Sequence, residues 1–400
     1  MQSINKTPQV KMYFVAFFAL LCCFSAFTQA SGQKSFLGKS FRGSPELIEG
    51  IIDAGKSAHP YRNVNSLRPD SYWNLKDSII AKGNSNDYQV GDLIGQGTFA
   101  KVFKGVHIPT GNKVALKYCF TPRADIYFRR EIQILQELNG APNFLPIRDI
   151  YEAEGGDNEH DTLVLVFDYF EAPRYRDLLK DLTKLQIKHF IYELLRTVDY
   201  AHSKGIIHRD LKYVNLLMNP DSLEMKVIDW GLADFYRPER KLGTLVSTQP
   251  YKSPEILLDY GFYDYSMDIW STGCVLAGMV FQKNYFFGFD PQVEKEVGYP
   301  QMDPNTQPNL DKLKVIAKVL GTVDLVEYVE KHKQFMNIEM MKHIGMYERV
   351  PFTDFINDSN RHLVDSEVID LLEKMLVIDH TERITASEAL QHSYFDDVRI

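Results

Sequence analysis

The apolar positions change period along the chain, and each change marks a different kind of element. From Met12 to Phe27 they form one unbroken run (MYFVAFFALLCCFSAF). From about Tyr88 they alternate with polar positions in short β-branched or aromatic stretches, Tyr88 to Ile94, Lys101 to His107 and Lys113 to Phe120, separated by Gly-containing turns. That pattern predicts a small antiparallel sheet. Ile126, Ile132, Ile134, Leu135 and Leu138 then recur at helical spacing and predict one helix beside the sheet. From Asp181 onward the pattern is mainly helical: Leu185, Phe190, Ile191, Leu194, Leu195, Val198 and Ala201 share a face behind a Thr183 cap, and Gly205 ends the segment. The shift divides an α+β chain into a strand-rich lobe over 88–170 and a helical lobe over 171–400. A Pro- and Gly-containing stretch at 290–308 breaks the helical pattern and reads as a surface insertion. No internal repeat is visible.

The first 59 residues do not share this organisation. Lys6 and Lys11 precede the apolar run, and Thr28 and Ala30 supply small residues, so 1–30 reads as a secretory signal peptide. A single membrane anchor is the alternative, although the run is shorter than the roughly 20 residues that span a bilayer. Residues 31–59 open as a Ser-rich, basic and acid-free stretch (SGQKSFLGKSFRGSP) of the kind found in organellar transit peptides. A signal followed by such a stretch resembles the two-part addresses of plastids bounded by extra membranes. The first acidic residue is Glu46, with Lys6, Lys11, Lys34, Lys39 and Arg42 before it, which leaves 40 basic against 53 acidic residues in the remainder. An acidic body of this kind argues against nucleic-acid binding. Cys22 and Cys23 lie in the apolar run, so Cys119 and Cys274 remain as isolated thiols without a disulfide framework. Asn357-Asp358-Ser359 is a glycosylation sequon of a frequency expected by chance.

Candidate chemistry starts at Gly95-Gln96-Gly97-Thr98-Phe99-Ala100-Lys101-Val102, a turn between two strands where missing Cβ atoms let backbone approach phosphate oxygens. A plain hairpin turn is the competing reading, because the third glycine position holds Ala100. Val114-Ala115-Leu116-Lys117 adds a strand lysine able to reach the α- and β-phosphates, and Glu131 on the following helix offers it a carboxylate. The densest constellation is His208-Arg209-Asp210-Leu211-Lys212-Tyr213-Val214-Asn215 followed by Val227-Ile228-Asp229-Trp230-Gly231. Phosphoryl transfer needs a carboxylate at the acceptor hydroxyl, oxygen ligands for Mg²⁺ and a cation at the moving group. Asp210, the pair Asn215 and Asp229, and Lys212 supply these in that order.

A small-molecule phosphotransferase shares several of these signs. Lys212, Ser253-Pro254-Glu255 and Asp268-Ile269-Trp270-Ser271-Thr272-Gly273 favour a protein kinase instead, with Arg383 placed to pair with a buried Glu255. Asp229-Trp230-Gly231-Leu232-Ala233-Asp234-Phe235-Tyr236, Pro254 to Tyr260, Tyr263 to Asp268, Ile316 to Thr322 and Arg68-Pro69-Asp70-Ser71-Tyr72-Trp73 together resemble the catalytic subunit of casein kinase II, over about Pro60 to Phe395. The resemblance implies a bilobal protein-kinase fold, with an antiparallel sheet plus one helix in the N-lobe, a mainly helical C-lobe, and residues 60–87 packing on the kinase. It implies a constitutively active Ser/Thr kinase using Mg²⁺ with ATP, and in this family often GTP. Nucleotide contacts are implied for Gly95, Gly97, Val102, Ala115, Lys117, Phe167 and Asp168, and structural roles for Arg209, Trp230, Glu255, Asp268 and Arg383. Protein substrates and a regulatory β-subunit are the implied partners, and nucleus and cytoplasm the implied compartments, against the secretory or plastid address of the N-terminus.

Several positions depart from that family. Its lysine-rich run is Thr121 to Phe128 here, and two arginines expected in the activation segment are Leu245 and Gln249, while Lys252 remains as a candidate substrate contact. Fewer cations weaken selection of acidic substrates. The loop from Glu152 to Asp161 is longer and more acidic than the family's, which weighs against β-subunit binding. Thr244, Ser247 and Thr248 are candidates for phosphorylation and pairing with Arg209. A non-catalytic scaffold with a kinase fold is the second class of reading, supported only by Ala100 and the altered substrate positions.

Overall fold

The structure is a computed structural model that describes residues 59–75, 82–97, 100–119, 124–153, 162–288 and 308–399. The signal-like segment, the transit-like segment up to residue 58, most of the acidic 152–161 loop and the insertion up to residue 307 lie outside the described residues.

Five strands form one antiparallel sheet in the order β1-β2-β3-β5-β4: β1 Tyr88–Gln96, β2 Ala100–His107, β3 Asn112–Cys119, β4 Ile147–Ala153 and β5 Thr162–Asp168. Side chains alternate across a strand, so the register assigns the two faces. Val114, Leu116, Val164 and Val166 bury one face together with Tyr151. The other carries Ala115 and Lys117, which pair with Phe167 and Leu165 respectively. Leu165 joins Phe128, Ile132 and Leu135 of helix α1 (Ala124–Glu137) in the main core. That packing holds α1 beneath the strand bearing Lys117. Ile126 was expected on this apolar stripe but is exposed, as is Leu185 of the later helix. Both stand in the first turn of their helices, outside the packed face.

The helical lobe follows: α2 Tyr175–Leu178, α3 Lys184–Ser203, α4 Pro254–Leu257, α5 Ser266–Val280, α6 Pro308–Leu320, α7 Val323–Lys331, α8 Ile338–Ile344, α9 Ser366–Met375 and α10 Ala386–Leu390. Thr183 caps α3 through a reciprocal box with Gln186, which satisfies backbone donors at the helix start. Every residue of α5 is buried. An acid on such a helix is retained only if it is fully bonded, and this is how Asp268 becomes an anchor. Short strand pairs, β6 Ile206–Ile207 with β9 Asp234–Phe235 and β7 Leu216–Met218 with β8 Met225–Val227, carry the loops between the lobes. No helix among the described residues is long and apolar enough to cross a membrane.

Residues 59–75 lie across both lobes. The buried Asn65 amide donates to the carbonyls of Gly205 (2.7 Å) and Tyr236 (2.9 Å). Gly205 has φ +75° and an added Cβ would stand 2.1 Å from Asn65 Nδ2, so only glycine fits this approach. Arg68 forms a bidentate pair with Glu137 at the end of α1 (3.1 Å each) and lies over Tyr72. Tyr72 and Trp73 pack edge-on against Phe235 of β9, and Arg237 covers Trp73. One strand-poor segment thereby ties α1 to the chain that follows Asp229.

Candidate active site

One strand and two loops bring their charged side chains together, with Lys117 bonded to Asp229 and Lys212 near enough to help hold the Asp229 carboxyl down. Lys117 Nζ donates to Glu131 Oε1 (2.6 Å) and to Asp229 Oδ1 (2.8 Å), joining β3, α1 and the turn after β8. The Asp229 carboxylate faces solvent, with 46% of its side chain accessible, while Lys117 and Glu131 are nearly enclosed. Lys117 pulls the Asp229 carboxyl down to about 2, against its partial desolvation. Burial would depress the Lys117 ammonium, but Asp229 and Glu131 outweigh it and hold it well above the ordinary lysine range. Burial lifts the Glu131 carboxyl against the pull of Lys117. The short contact with a firmly charged lysine keeps the pair ionic.

This triad makes a direct prediction. Lys117→Met strands a buried carboxylate, and losing one member of a buried pair costs about 3–5 kcal/mol. The thermal midpoint should fall by several degrees, and adding Glu131→Gln should recover part of it. A double variant no more stable than the single one would contradict this coupling.

On the other side, Asp210 is held at both ends. Lys212 Nζ donates to its Oδ2 (2.6 Å), and the Thr248 hydroxyl donates to its Oδ1 (2.8 Å) while accepting from Lys212 (2.8 Å). Asn215 Nδ2 donates to the Asp210 carbonyl (2.8 Å). The loop itself hangs from Asp268 on α5, whose carboxylate accepts the backbone N–H groups of His208 (2.8 Å) and Arg209 (2.9 Å) and meets His202 Nε2 (3.0 Å). Arg209 takes φ +67° and Asp229 φ +62°, a strained pair of turns that these bonds over-determine. Behind them, Arg383 grips Glu255 bidentately (2.6 and 2.7 Å) with both side chains fully buried, and also donates to the carbonyls of Val377 and Ile378.

Trp230 is buried, its ring 4.5 Å from His208, and its Nε1 donates to the Val227 carbonyl. Val102 stands opposite Lys117, and Ala115 opposite Phe167, so these apolar side chains share the sheet face with Lys117. Asp168 alternates to the other face, where its carboxylate accepts from Arg148 Nε (2.8 Å). Its backbone is therefore what it can offer a nucleotide. Lys252 is half-buried, without an ion-pair partner among the described residues, and burial lowers its pKa.

Arg209, the expected partner of a phosphorylated activation segment, is already engaged in the unmodified chain. Its guanidinium donates to the Leu232 carbonyl (2.6 Å) and the Tyr263 hydroxyl (3.0 Å), and reaches Asp234 (3.3 Å), which Arg130 also holds (2.7 Å). The Asp234 carboxylate thus lies between the two guanidinium groups of Arg209 and Arg130. Thr244 is bonded to Asp259 and Thr248 to Asp210. Asp234 and Thr248 are the two partners that motif reading missed; the only signal for Thr248 was a hydroxyl residue lying between the Asp-Trp-Gly and Ser-Pro-Glu motifs.

A family model described as the protein kinase domain matches residues 88–395. The chain belongs to the protein kinase domain family. It is thus a eukaryotic-type protein kinase, with an N-lobe sheet and a helical C-lobe, and its reaction is phosphoryl transfer to proteins. Protein kinase domains use ATP and Mg²⁺, and the donors present fit that pair. Asp229 is an exposed, firmly ionised carboxylate, and Asn215 commits its nitrogen to Asp210, leaving Oδ1 as a second hard oxygen. At the end of β1 and just after it, a Cβ at Gly95 or Gly97 would meet nothing closer than 3.7 Å among the described residues. The fold does not itself demand glycine there, so the bare backbone fits close approach of a phosphate chain.

Proposed function

We propose that this protein kinase is a constitutively active Ser/Thr kinase of the casein kinase II type, accepting ATP and, as in that family, GTP. The observation that carries the reading is the closed set of bonds among Asp210, Lys212 and Thr248, which holds the acceptor carboxylate in place. Lys117 would contact the α- and β-phosphates, and Asn215 and Asp229 would hold Mg²⁺, which supplies charge neutralisation along the triphosphate. Asp210 takes the proton as the acceptor hydroxyl oxygen bonds to the γ-phosphorus and the bond to the β-phosphate oxygen breaks. Lys212 stabilises charge on the transferring group and orients Asp210. Thr248 fixes the same carboxylate from the substrate side and so acts as a positioning residue.

Constitutive activity is supported by Asp234 on Arg209 and by the anchoring of residues 59–75. Unphosphorylated recombinant enzyme is expected to phosphorylate Ser or Thr peptides without a partner kinase. Asn65→Ala, which leaves the Tyr236 carbonyl without its donor at a cost of about 1–3 kcal/mol while the Gly205 carbonyl keeps the Tyr236 N–H, should lower activity through the activation segment before it lowers nucleotide affinity. No turnover by the unphosphorylated enzyme, or an Asn65→Ala variant as active as wild type, would overturn this part. For the N-terminus we propose routing into the secretory pathway or a complex plastid; a fluorescent fusion of residues 1–50 that stays in the cytosol would refute it.

A further inference from the structure

Acceptor selection is read best from the side chains that flank Asp210. Leu245 is 96% exposed, although the loop around it is fixed: Val246 is buried against Tyr236 and Tyr263, Thr244 is bonded to Asp259, and Ser247 sits at φ +65°. Three residues later Thr248 touches Asp210 at 2.8 Å. Three extended residues span at most about 10 Å, so Leu245 stands within reach of substrate residues about three positions from the acceptor, at roughly 3.3 Å per residue. Val214, 50% exposed, stands four residues after Asp210, between Tyr213, whose hydroxyl is tied to Val275, and Asn215, whose amide is tied to Asp210. Two apolar side chains are thus presented to solvent on rigid backbone beside the acceptor carboxylate. Between Gly243 and Lys252 the only cation is Lys252 itself. A carboxylate brought against Leu245 and Val214 would be desolvated, with Lys212 committed to Asp210 and Thr248 and Lys252 seven residues beyond Leu245, whereas an apolar side chain there gains burial.

We infer that Leu245 and Val214 are specificity-determining residues that select protein substrates with an apolar residue within about three positions of the phosphoacceptor. The inference rests on the proposed kinase reading and deepens it from electrostatic selection lost to apolar selection gained. The test is a Ser/Thr peptide array in which each flanking position carries Leu, Ala, Asp or Lys, phosphorylated by the full chain, with thermal shift by ATP and Mg²⁺ measured in parallel. Leu should be preferred over Asp by about tenfold in kcat/KM at one or more of these positions, in the range one apolar pocket contact provides. Leu245→Arg should reverse that preference toward Asp, and Val214→Lys should weaken the apolar preference at a different position. Equal or greater phosphorylation of Asp peptides by wild type, or an unchanged ratio in Leu245→Arg, overturns the inference while leaving the kinase reading intact. No phosphorylation of any peptide together with no nucleotide-dependent thermal shift overturns both.

Discussion

Asp210→Asn is expected to lower kcat for peptide phosphorylation by a factor of about 10³, within the span that loss of a positioned proton acceptor produces. The thermal midpoint and nucleotide affinity should stay close to wild type. An asparagine keeps the shape of the side chain and can still accept one bond from Lys212 or Thr248, which remain bonded to each other. It cannot take the hydroxyl proton as a carboxylate does. Steady-state kinetics with the KM for ATP measured separately checks this, because a structural defect would move stability and affinity together. A loss smaller than tenfold would show that Asp210 only shapes the loop.

Arg383→Met is expected to be the most destabilising single change, by about 3–5 kcal/mol. It leaves the fully buried Glu255 without its cation and the carbonyls of Val377 and Ile378 without a donor. Glu255→Gln with Arg383→Met should be less destabilising than Arg383→Met alone, since no buried charge is then left unpaired. The pair also sets a pH dependence. Burial opposes ionisation of Glu255, but Arg383 outweighs it and holds the carboxyl below its ordinary value of 4.5. A group whose folded pKa is depressed contributes fully above that ordinary value and loses its contribution as pH falls toward the folded one. Denaturant midpoints for wild type should therefore decline below about pH 4.5, and less steeply in the double variant. A double variant as unstable as Arg383→Met would contradict the argument.

The lobes, the sheet beside one helix and the residues of the catalytic loop were legible because each rests on local periodicity or on a contiguous motif. Lys117 and Glu131 were readable as a pair because their spacing follows from a strand and the helix beneath it. Thr248 was not, since its role exists only where the activation segment folds back onto Asp210, 38 residues away in sequence. Asp234 was quoted within a motif, yet nothing local says that its carboxylate faces Arg209 and Arg130. Ile126 and Leu185 misled for the opposite reason: helical spacing extends into a first turn that the core does not reach. Asp168 shows how strand alternation, visible once the register is known, limits a residue to its backbone.

The most direct measurement is transfer of label from γ-labelled ATP with Mg²⁺ to a Ser/Thr peptide by the unphosphorylated full chain, beside Asp229→Asn. With Lys117, Asp210 and Asp229 serving one cleft, label appears on the peptide hydroxyl with wild type and is lost with Asp229→Asn, although that variant folds. A folded wild-type chain that transfers no label, or an Asp229→Asn variant that transfers it as fast, would contradict the assignment.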